Sequence, residues 1–263
     1  IKEEIKKLCL TNQAQELVDN LKFSDNIDLV QRMINETDET KKIIELGYNI
    51  PISHFSPIEA VLNKSKITGG FAEVEELHQL KGFIDTYNKS WAFIKTFIDF
   101  EVPNLINLIP ATEITPHLYS SLDKTLDASG EVRSNASHEL MKINQEKLTK
   151  EISLRTKIND LHDSYSAQGF IGDDTAPTIR NGRAVIPVKA EYKRVVNGMI
   201  HDESSTGQTT FIEPEQVVQI NNDLTELHYR ERREIMRILT ELTGLVKQNS
   251  LALYNASLFL ENL

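Results

Sequence analysis

Basic side chains gather in one short stretch of a chain that is otherwise acidic. The 263-residue chain carries 29 Lys and Arg against 39 Asp and Glu, a formal net charge of −10. Between Pro177 and Ile200, only Glu191 opposes the basic residues. Clustered Lys and Arg attract polyanions, because they displace counterions from phosphate groups. One interpretation is therefore a polyanion contact, which for a nucleic acid would be made to phosphates without reading bases; the residues are Arg180, Arg183, Lys189, Lys193 and Arg194. The alternative is a solvated strand face whose Lys and Arg protect an edge.

A second group has the residue types, but not the arrangement, of a hydrolase triad. The sequence His-Asp-Glu-Ser-Ser begins at His201. Neighbours in a turn rarely face one another, since such triads are assembled from distant parts of a chain. We predict instead that Asp202, Ser204 and Ser205 bond turn amides, while Gly207 supplies an unusual φ. His201 is either a satisfied turn histidine or a phosphate contact.

Sequence patterns for metal or nucleotide chemistry are missing. The histidines show no pair at ligand spacing, and the single Cys9 can form neither a metal cluster nor an internal disulfide. The chain lacks a G-x-x-x-x-G-K-[ST] phosphate loop, and Gly207-Gln-Thr-Thr resembles one only faintly. Asp173 and Asp174 are interpreted as a loop cap rather than a cation site. We therefore expect no catalytic residue, cofactor or metal ion in this chain itself.

The basic residues lie on the one stretch, residues 177–214, whose pattern is typical of β-strands. Asn181-Gly182 between apolar runs predicts a hairpin with a type I′ turn, which needs positive φ at both positions. Pro187 cannot donate to a ladder, so its strand is expected to be an edge or to be bulged. Further strands are predicted within residues 192–200 and 209–212. The result is a small antiparallel sheet.

Long helical patterns flank this sheet on both sides. Residues 134–165 have sparse apolar positions, and their narrow seam of Leu154, Ile158, Leu161 and Tyr165 indicates packing against one partner. A second helix opens at Glu213-Pro214-Glu215. The simplest geometry is an antiparallel arm with the sheet at its tip, about 45 Å away for thirty residues. Asn221-Asn222 either fixes the register of the two helices or is simply exposed.

The first part of the chain is helical, and the fold class is mainly α. The aromatic residues Trp91, Phe93, Phe97 and Phe100 have helical spacing, which favours core packing over a stacking platform for bases. The predicted domains are a helical core (1–116), a connector with the outgoing lever helix (117–176), a small clamp-like sheet (177–212) and the returning lever helix (213–263). No apolar run is long enough for a membrane span. The single cysteine fits a reducing cytoplasm.

Three stretches carry a resemblance to a known family. Residues 181–224 read NGRAVIPVKAEYKRVVNGMIHDESSTGQTTFIEPEQVVQINNDL, residues 130–140 read GEVRSNASHEL, and residues 56–77 read SPIEAVLNKSKITGGFAEVEEL. The first resembles, over a long and nearly gap-free length, the signature segment of the MutS-II family, bacterial MutS relatives that lack the mismatch-reading domain. The second is similar to a further family motif, with His138 in place of Pro.

This resemblance implies more than the residues do by themselves. In the family, lever helices project from a helical core domain, and the arms of two subunits reach around a nucleic acid duplex. An ATPase domain, with ATP and Mg, would lie after Leu263, and a nuclease domain further on. The chain is therefore expected to be a non-catalytic fragment of a mismatch-repair-type DNA-binding ATPase that suppresses recombination, with a second copy of itself as a partner. Some members are thought to act on stalled ribosomes.

Two classes of function follow. In the first, the fragment binds branched or duplex DNA and scaffolds a dimer, or binds a ribosome by the same chemistry. In the second, the helical arm and sheet tether a protein partner. Phosphate binding weakens steeply as salt rises, whereas an apolar protein contact does not.

Overall fold

The chain folds into ten helices and a four-stranded sheet over the residues that the structure describes, 1–97, 102–172 and 175–263 of a computed structural model. The helices are α1 (Lys2–Lys6), α2 (Asn12–Asn20), α3 (Ile27–Glu45), α4 (Glu59–Ser65), α5 (Val74–Lys95), α6 (Pro103–Asn107), α7 (Pro116–Thr125), α8 (His138–Ala167), α9 (Glu215–Gln248) and α10 (Ser250–Asn262). The strands are β1 (Thr178–Arg180), β2 (Arg183–Lys189), β3 (Gly198–Glu203) and β4 (Thr209–Pro214). The predicted fold class, mainly helical with a small antiparallel sheet, is confirmed at that level.

Two compact units divide these elements. One consists of residues 1–133 and 237–263, and the other of residues 134–236. No helix within the described ranges combines the length and apolar character that a bilayer crossing requires. Asp173, Asp174 and Phe100 lie outside the described residues, so the interpretations made for them have no structural counterpart here.

Helix α5 is the centre of the first unit. It begins with a capping box, in which the side chains of Glu73 and Glu76 each accept from the other residue's backbone N–H. Its buried face packs against α4, α6, α7 and α10, and includes Leu77, Leu80, Phe83, Ile84 and Ile94. Buried Glu39 of α3 accepts hydrogen bonds from Asn104 and Leu105, the orphan donors at the start of α6.

Two of the aromatic residues near the end of α5, Phe93 and Phe97, pack as predicted. Phe97 is only 4% exposed, and its ring meets that of Tyr48 edge-on at 5.2 Å and that of Phe93 at 5.0 Å. Lys95 places its ammonium 3.6 Å from the centre of the Trp91 ring. Phe93 and Phe97 therefore pack against each other and against Tyr48, whereas the contact described for Trp91 is with a lysine.

The second unit is a helix, a sheet and a helix in chain order. Ser137 caps α8 by accepting from the N–H of Leu140 at 3.0 Å. The sheet is antiparallel throughout, in the order β1-β2-β4-β3. One face of the sheet and the two helices share an apolar core, formed by Leu154, Ile158, Ile171, Ala184, Ile186, Val188, Val196, Ile212, Val217 and Leu224. Leu161 and Tyr165 pack against this core, so the seam predicted on α8 has a partner.

The first hairpin has the predicted turn, but the position of its second strand differs from expectation. Asn181 and Gly182 have φ of 51° and 76°, as a type I′ turn requires. The expectation that Pro187 marks an edge strand or bulge fails for β2 as a whole, which lies inside the sheet and shows no described register shift against β4, but at Pro187 itself the β1 side of β2 has no described strand partner. Pro187 is tolerated because β1 ends opposite Val185. The nitrogen of Pro187 faces the side of β2 that β1 has already left, where the N–H of Lys189 reaches the carbonyl of Phe170 instead.

The strand predicted within residues 192–200 begins later than expected. Residues 190–192 form a 3-10 turn, and β3 starts only at Gly198. The N–H of Val195 and that of Val196 both return to the carbonyl of Tyr192, which closes the chain into turns before the strand. Val196 then enters the apolar core at 5% exposure.

Candidate nucleic-acid interface

The buried carboxylate of Glu213 is the centre of a polar network beneath the predicted phosphate site. Glu213 lies near the end of β4, and its side chain is fully buried. It accepts from Arg183 Nη1 at 2.7 Å and from Asn221 Nδ2 at 2.7 Å, and it lies 2.6 Å from His201 Nε2. Burying a carboxylate is costly unless it is paired and hydrogen-bonded, and here both conditions are met.

Asparagines of α9 complete this network. Asn221 is 3% exposed, donates to the carbonyl of Ala184 and accepts from its N–H, both at 3.3 Å. Asn222 accepts from Arg183 Nη2 at 2.6 Å. Of the alternatives predicted for Asn221-Asn222, exposure holds for Asn222 only. Asn221 is buried, and its described contacts are with β2 and β4 rather than with the other long helix. The network fastens the sheet to the first turns of α9.

Hydrogen bonds keep Glu213 ionised despite its burial. Burial by itself raises the pKa of this carboxyl, but hydrogen bonds from Asn221, His201 and Arg183, together with the Arg183 charge, outweigh burial and place the pKa below its ordinary value. The group therefore contributes stability that is present above the unfolded pKa of about 4.5 and is lost as pH falls through the lower folded pKa.

The lowered pKa of Glu213 gives a testable pH dependence of the free energy of unfolding. The free energy of unfolding, measured with urea between about pH 7 and pH 3, is expected to fall more steeply toward the acid end for the native chain than for Glu213→Gln. The isostere has no carboxyl to protonate, so the difference between the two curves reports the charge of Glu213 together with its contacts to Arg183 and His201. Parallel curves would contradict the assigned role of the Glu213 charge.

Arg183 and Arg180 are both engaged within the sheet. The two terminal nitrogens of Arg183 donate hydrogen bonds to Glu213 and Asn222. Arg180 lies 3.4 Å from the carboxylate of Asp202, and its guanidinium stands 4.3 Å from the centre of the Phe211 ring. Planar guanidinium groups favour such combined pairing and stacking. These two arginines are thus partly satisfied before any ligand arrives.

The other three predicted contacts lie around the 3-10 turn at residues 190–192. Lys189 donates to the carbonyl of Gly169 at 3.0 Å, and Lys193 pairs with Glu203 at 3.1 Å. Arg194 is exposed, and no residue of the described ranges pairs with it. Within residues 178–214, five basic side chains meet four acidic ones, so the positive field of the sheet is weaker than the basic stretch alone indicates.

The His-Asp-Glu-Ser-Ser sequence is structural in the way predicted for Ser204 and Gly207. Ser204 Oγ accepts from the N–H of Thr209 at 3.0 Å, and Gly207 has φ of 69° while its N–H reaches the carbonyl of Ser204. His201 is satisfied by Glu213, although it lies on β3 rather than in a turn. Asp202 pairs with Arg180 and, as predicted, accepts from a backbone amide, the N–H of Glu203, at 2.9 Å. The described contacts of His201 and Ser204 are with other residues, so the triad residue types do not converge.

Sequence reasoning missed the role of Glu213. It was interpreted as an acid at the start of a helix, but α9 begins at Glu215 and Glu213 belongs to β4. The only signal was the co-occurrence of an arginine, a histidine and two asparagines around a β-rich stretch. Metal chemistry has no candidate either: across the described ranges, no three His, Cys, Asp or Glu side chains are grouped to hold an ion.

Comparison with known proteins relates this chain to proteins of the MutS class. It is 35% identical to the Endonuclease MutS2 of Geobacillus sp. (strain WCH70) over 255 residues, which cover 96% of this chain and 32% of that protein. The Endonuclease MutS2 of Clostridium botulinum (strain Alaska E43 / Type E3) is 36% identical over 252 residues, 95% of this chain and 32% of its own. That of Bacillus mycoides (strain KBAB4) is 33% identical over 245 residues, 92% of this chain and 31% of its own. No family model matches the sequence.

These likenesses support a MutS2- or MutS-related family for the chain, because they extend over most of its length. The chain spans about a third of the length of the curated relatives it matches.

Proposed function

We propose that this chain is the core and lever part of a longer MutS-II-type ATPase, and that its small sheet contacts the phosphate backbone of structured DNA. The observation that carries the phosphate contact is the exposed Arg194, which pairs with no residue in the part of the chain that the structure describes and lies beside the two lysines that flank the same turn. The likeness to proteins named as endonucleases supports nucleic acid as the class of ligand.

The two long helices act as the lever in this proposal. Helix α8 enters the sheet and α9 leaves it, and their polar contacts run in opposite chain directions, from Ser137–Glu234 at one end to Lys150–Asp223 further along. ATP and Mg binding, nuclease activity and the main contacts between two subunits belong to the parent protein in this proposal. This chain supplies the scaffold of the dimer and the sheet that meets the nucleic acid.

The contact with phosphate centres on fewer residues than the sequence indicates. Arg183 has committed both terminal nitrogens to the buried network, so its role is to hold the sheet on α9. Lys189, Lys193 and Arg194 are accessible at one end of the sheet, and their existing contacts are a carbonyl and one half-exposed acid. Exposed pairs of this kind are weak, so phosphates can replace them.

A charge-reversal experiment tests this assignment. We expect the native chain to bind a labelled four-way DNA junction with an affinity that falls as salt rises, with a log–log slope of about −3 for three neutralised phosphates. Changing Lys189, Lys193 and Arg194 together to Glu should abolish this binding. Changing exposed Lys41, Lys66 and Lys124 to Glu makes the same change of net charge in the first unit, and should leave most of the binding intact.

A protein tether is the second candidate, and exposed apolar side chains favour it. Val195, Met199 and Ile200 lie on or beside β3, and each is between 48% and 57% exposed. A contact with phosphate does not account for these exposed apolar side chains. Binding to a protein through these residues would resist salt. A ribosomal subunit, tested beside the junction and a linear duplex, separates the remaining ligands: retention of ribosome binding without DNA binding would move the function to translation and overturn the DNA proposal.

A further inference from the structure

The middle of α8 lacks the apolar packing found on both sides of it. Ile143 is 1% exposed and Leu154 is 9% exposed, but no side chain between them, residues 144–153, is buried. Leu148 and Ile152 within this range are 58% and 60% exposed. Nearly three helical turns therefore contribute no buried side chain to the helix pair.

Ion pairs hold the two helices together along this range. Lys147 Nζ lies 2.5 Å from Glu231, Lys150 Nζ lies 2.6 Å from Asp223, and Arg230 lies 3.1 Å from Glu146. An open groove of about 540 Å³ runs between the helices here, and its lining includes Glu146, Lys150, Asp223 and Arg230 of these pairs. One buried apolar side chain of α9, Leu227 at 5% exposure, also lines it. Each of the paired side chains is partly exposed to solvent, with between 15% and 42% of its surface accessible.

The half of the helix pair nearer the sheet is built differently. Leu154 and Ile158 of α8 share one apolar core with Val217 and Leu224 of α9 and with the sheet. Apolar burial is insensitive to ionic strength in the range where partly exposed ion pairs are screened. The two halves of the pair therefore respond differently to salt.

We propose that residues 144–153 of α8, with the facing turns of α9, form a salt-responsive flexure point. When ionic strength or a competing polyelectrolyte screens the ion pairs, the helices separate locally in this range while the sheet stays packed on the helix ends. The groove is the space into which the charged side chains rearrange. This property does not depend on what the sheet binds.

Amide hydrogen exchange tests the flexure point directly. Raising NaCl from about 0.05 M to 0.5 M is expected to speed exchange in residues 144–153 by about fivefold, since screened pairs of this kind are individually weak. Exchange in residues 154–165 should change much less, and it serves as the internal reference. A salt response of equal size in the two ranges, or none in either, overturns the proposal.

A variant that replaces charge by apolar contact sharpens the test. Lys147→Met with Glu231→Leu should slow exchange in residues 144–153 and reduce its salt dependence, while the Lys150–Asp223 and Arg230–Glu146 pairs keep the remainder. The matched control is Lys81→Met with Asp123→Leu, which removes an ion pair of 2.7 Å between α5 and α7 in the first unit and should leave exchange in 144–153 unchanged. Retention of the full salt response in the first variant, with exchange in 154–165 still native, contradicts the proposal.

Discussion

Replacing Glu213 with alanine is expected to lower the free energy of unfolding of the sheet-bearing unit by about 3–5 kcal/mol. The substitution leaves Arg183, His201 and Asn221 facing a hole without the acceptor that all three use. A buried donor left without its acceptor costs about 1–3 kcal/mol, and here Asn221, His201 and Arg183 each lose one, although Arg183 is 26% exposed and keeps Asn222. Urea unfolding followed by far-UV circular dichroism, with amide exchange in β2 and β4, measures the loss.

Glu203→Ala is the matched control for this prediction. Glu203 also pairs with a basic residue of the sheet, Lys193, but half of its side chain is exposed. An exposed pair contributes at most about 1 kcal/mol. If the two substitutions lower the free energy of unfolding by the same amount, the buried Glu213 network stabilises the fold no more than an exposed ion pair does.

Gly198→Ala is expected to cost about 1–3 kcal/mol or more, because β3 and β4 approach too closely for a side chain there. An added Cβ would meet the Glu213 carbonyl oxygen at less than any normal contact distance, and would lie 2.7 Å from Ile212 Cγ2. Backbone cannot swing aside as a flexible side chain does, so the strands would have to separate. The loss is measured by the same urea titration, and amide exchange should rise first in β3.

The same substitution at Gly244 gives the opposite expectation. Gly244 lies in α9, and an added Cβ would find open space within 4 Å. Alanine is favoured over glycine in helices, so Gly244→Ala should stabilise by up to about 1 kcal/mol. If Gly198→Ala is as well tolerated as Gly244→Ala, the close approach of β3 to β4 is not a constraint on the sequence.

Local patterns in the sequence predict much of this fold, because they need no distant partner. Asn181-Gly182 specifies its turn by positive φ alone, and Leu154 and Ile158 specify a buried helix face by spacing alone. The position of β2 was missed because the edge or interior status of a strand depends on the length of its neighbour, here a β1 of only three residues. A proline in the sequence shows that one N–H donor is missing from the strand, but it does not show which strand lies beside it.

The candidate site was harder to predict than the fold, for an electrostatic reason. The net charge of a stretch of sequence counts its basic and acidic side chains, but it does not show which of them form ion pairs in the fold. The acids that pair with Arg180, Arg183 and Lys193 all lie further along the chain, on β3 and β4. The cluster of five basic residues is therefore visible in the sequence, whereas the division between structural Arg183 and accessible Arg194 depends on folding.

Asn221 has a consequence for how the sheet ends. Its amide donates to and accepts from Ala184, on the side of β2 that pairs with β4 from Ile186 onward. A helix side chain thus stands in for the next peptide group of β4, and allows that strand to leave the ladder without open backbone groups. Aspartate, which only accepts, cannot replace it. The backbone groups at the end of this ladder are therefore satisfied by a residue that belongs to the first turns of α9.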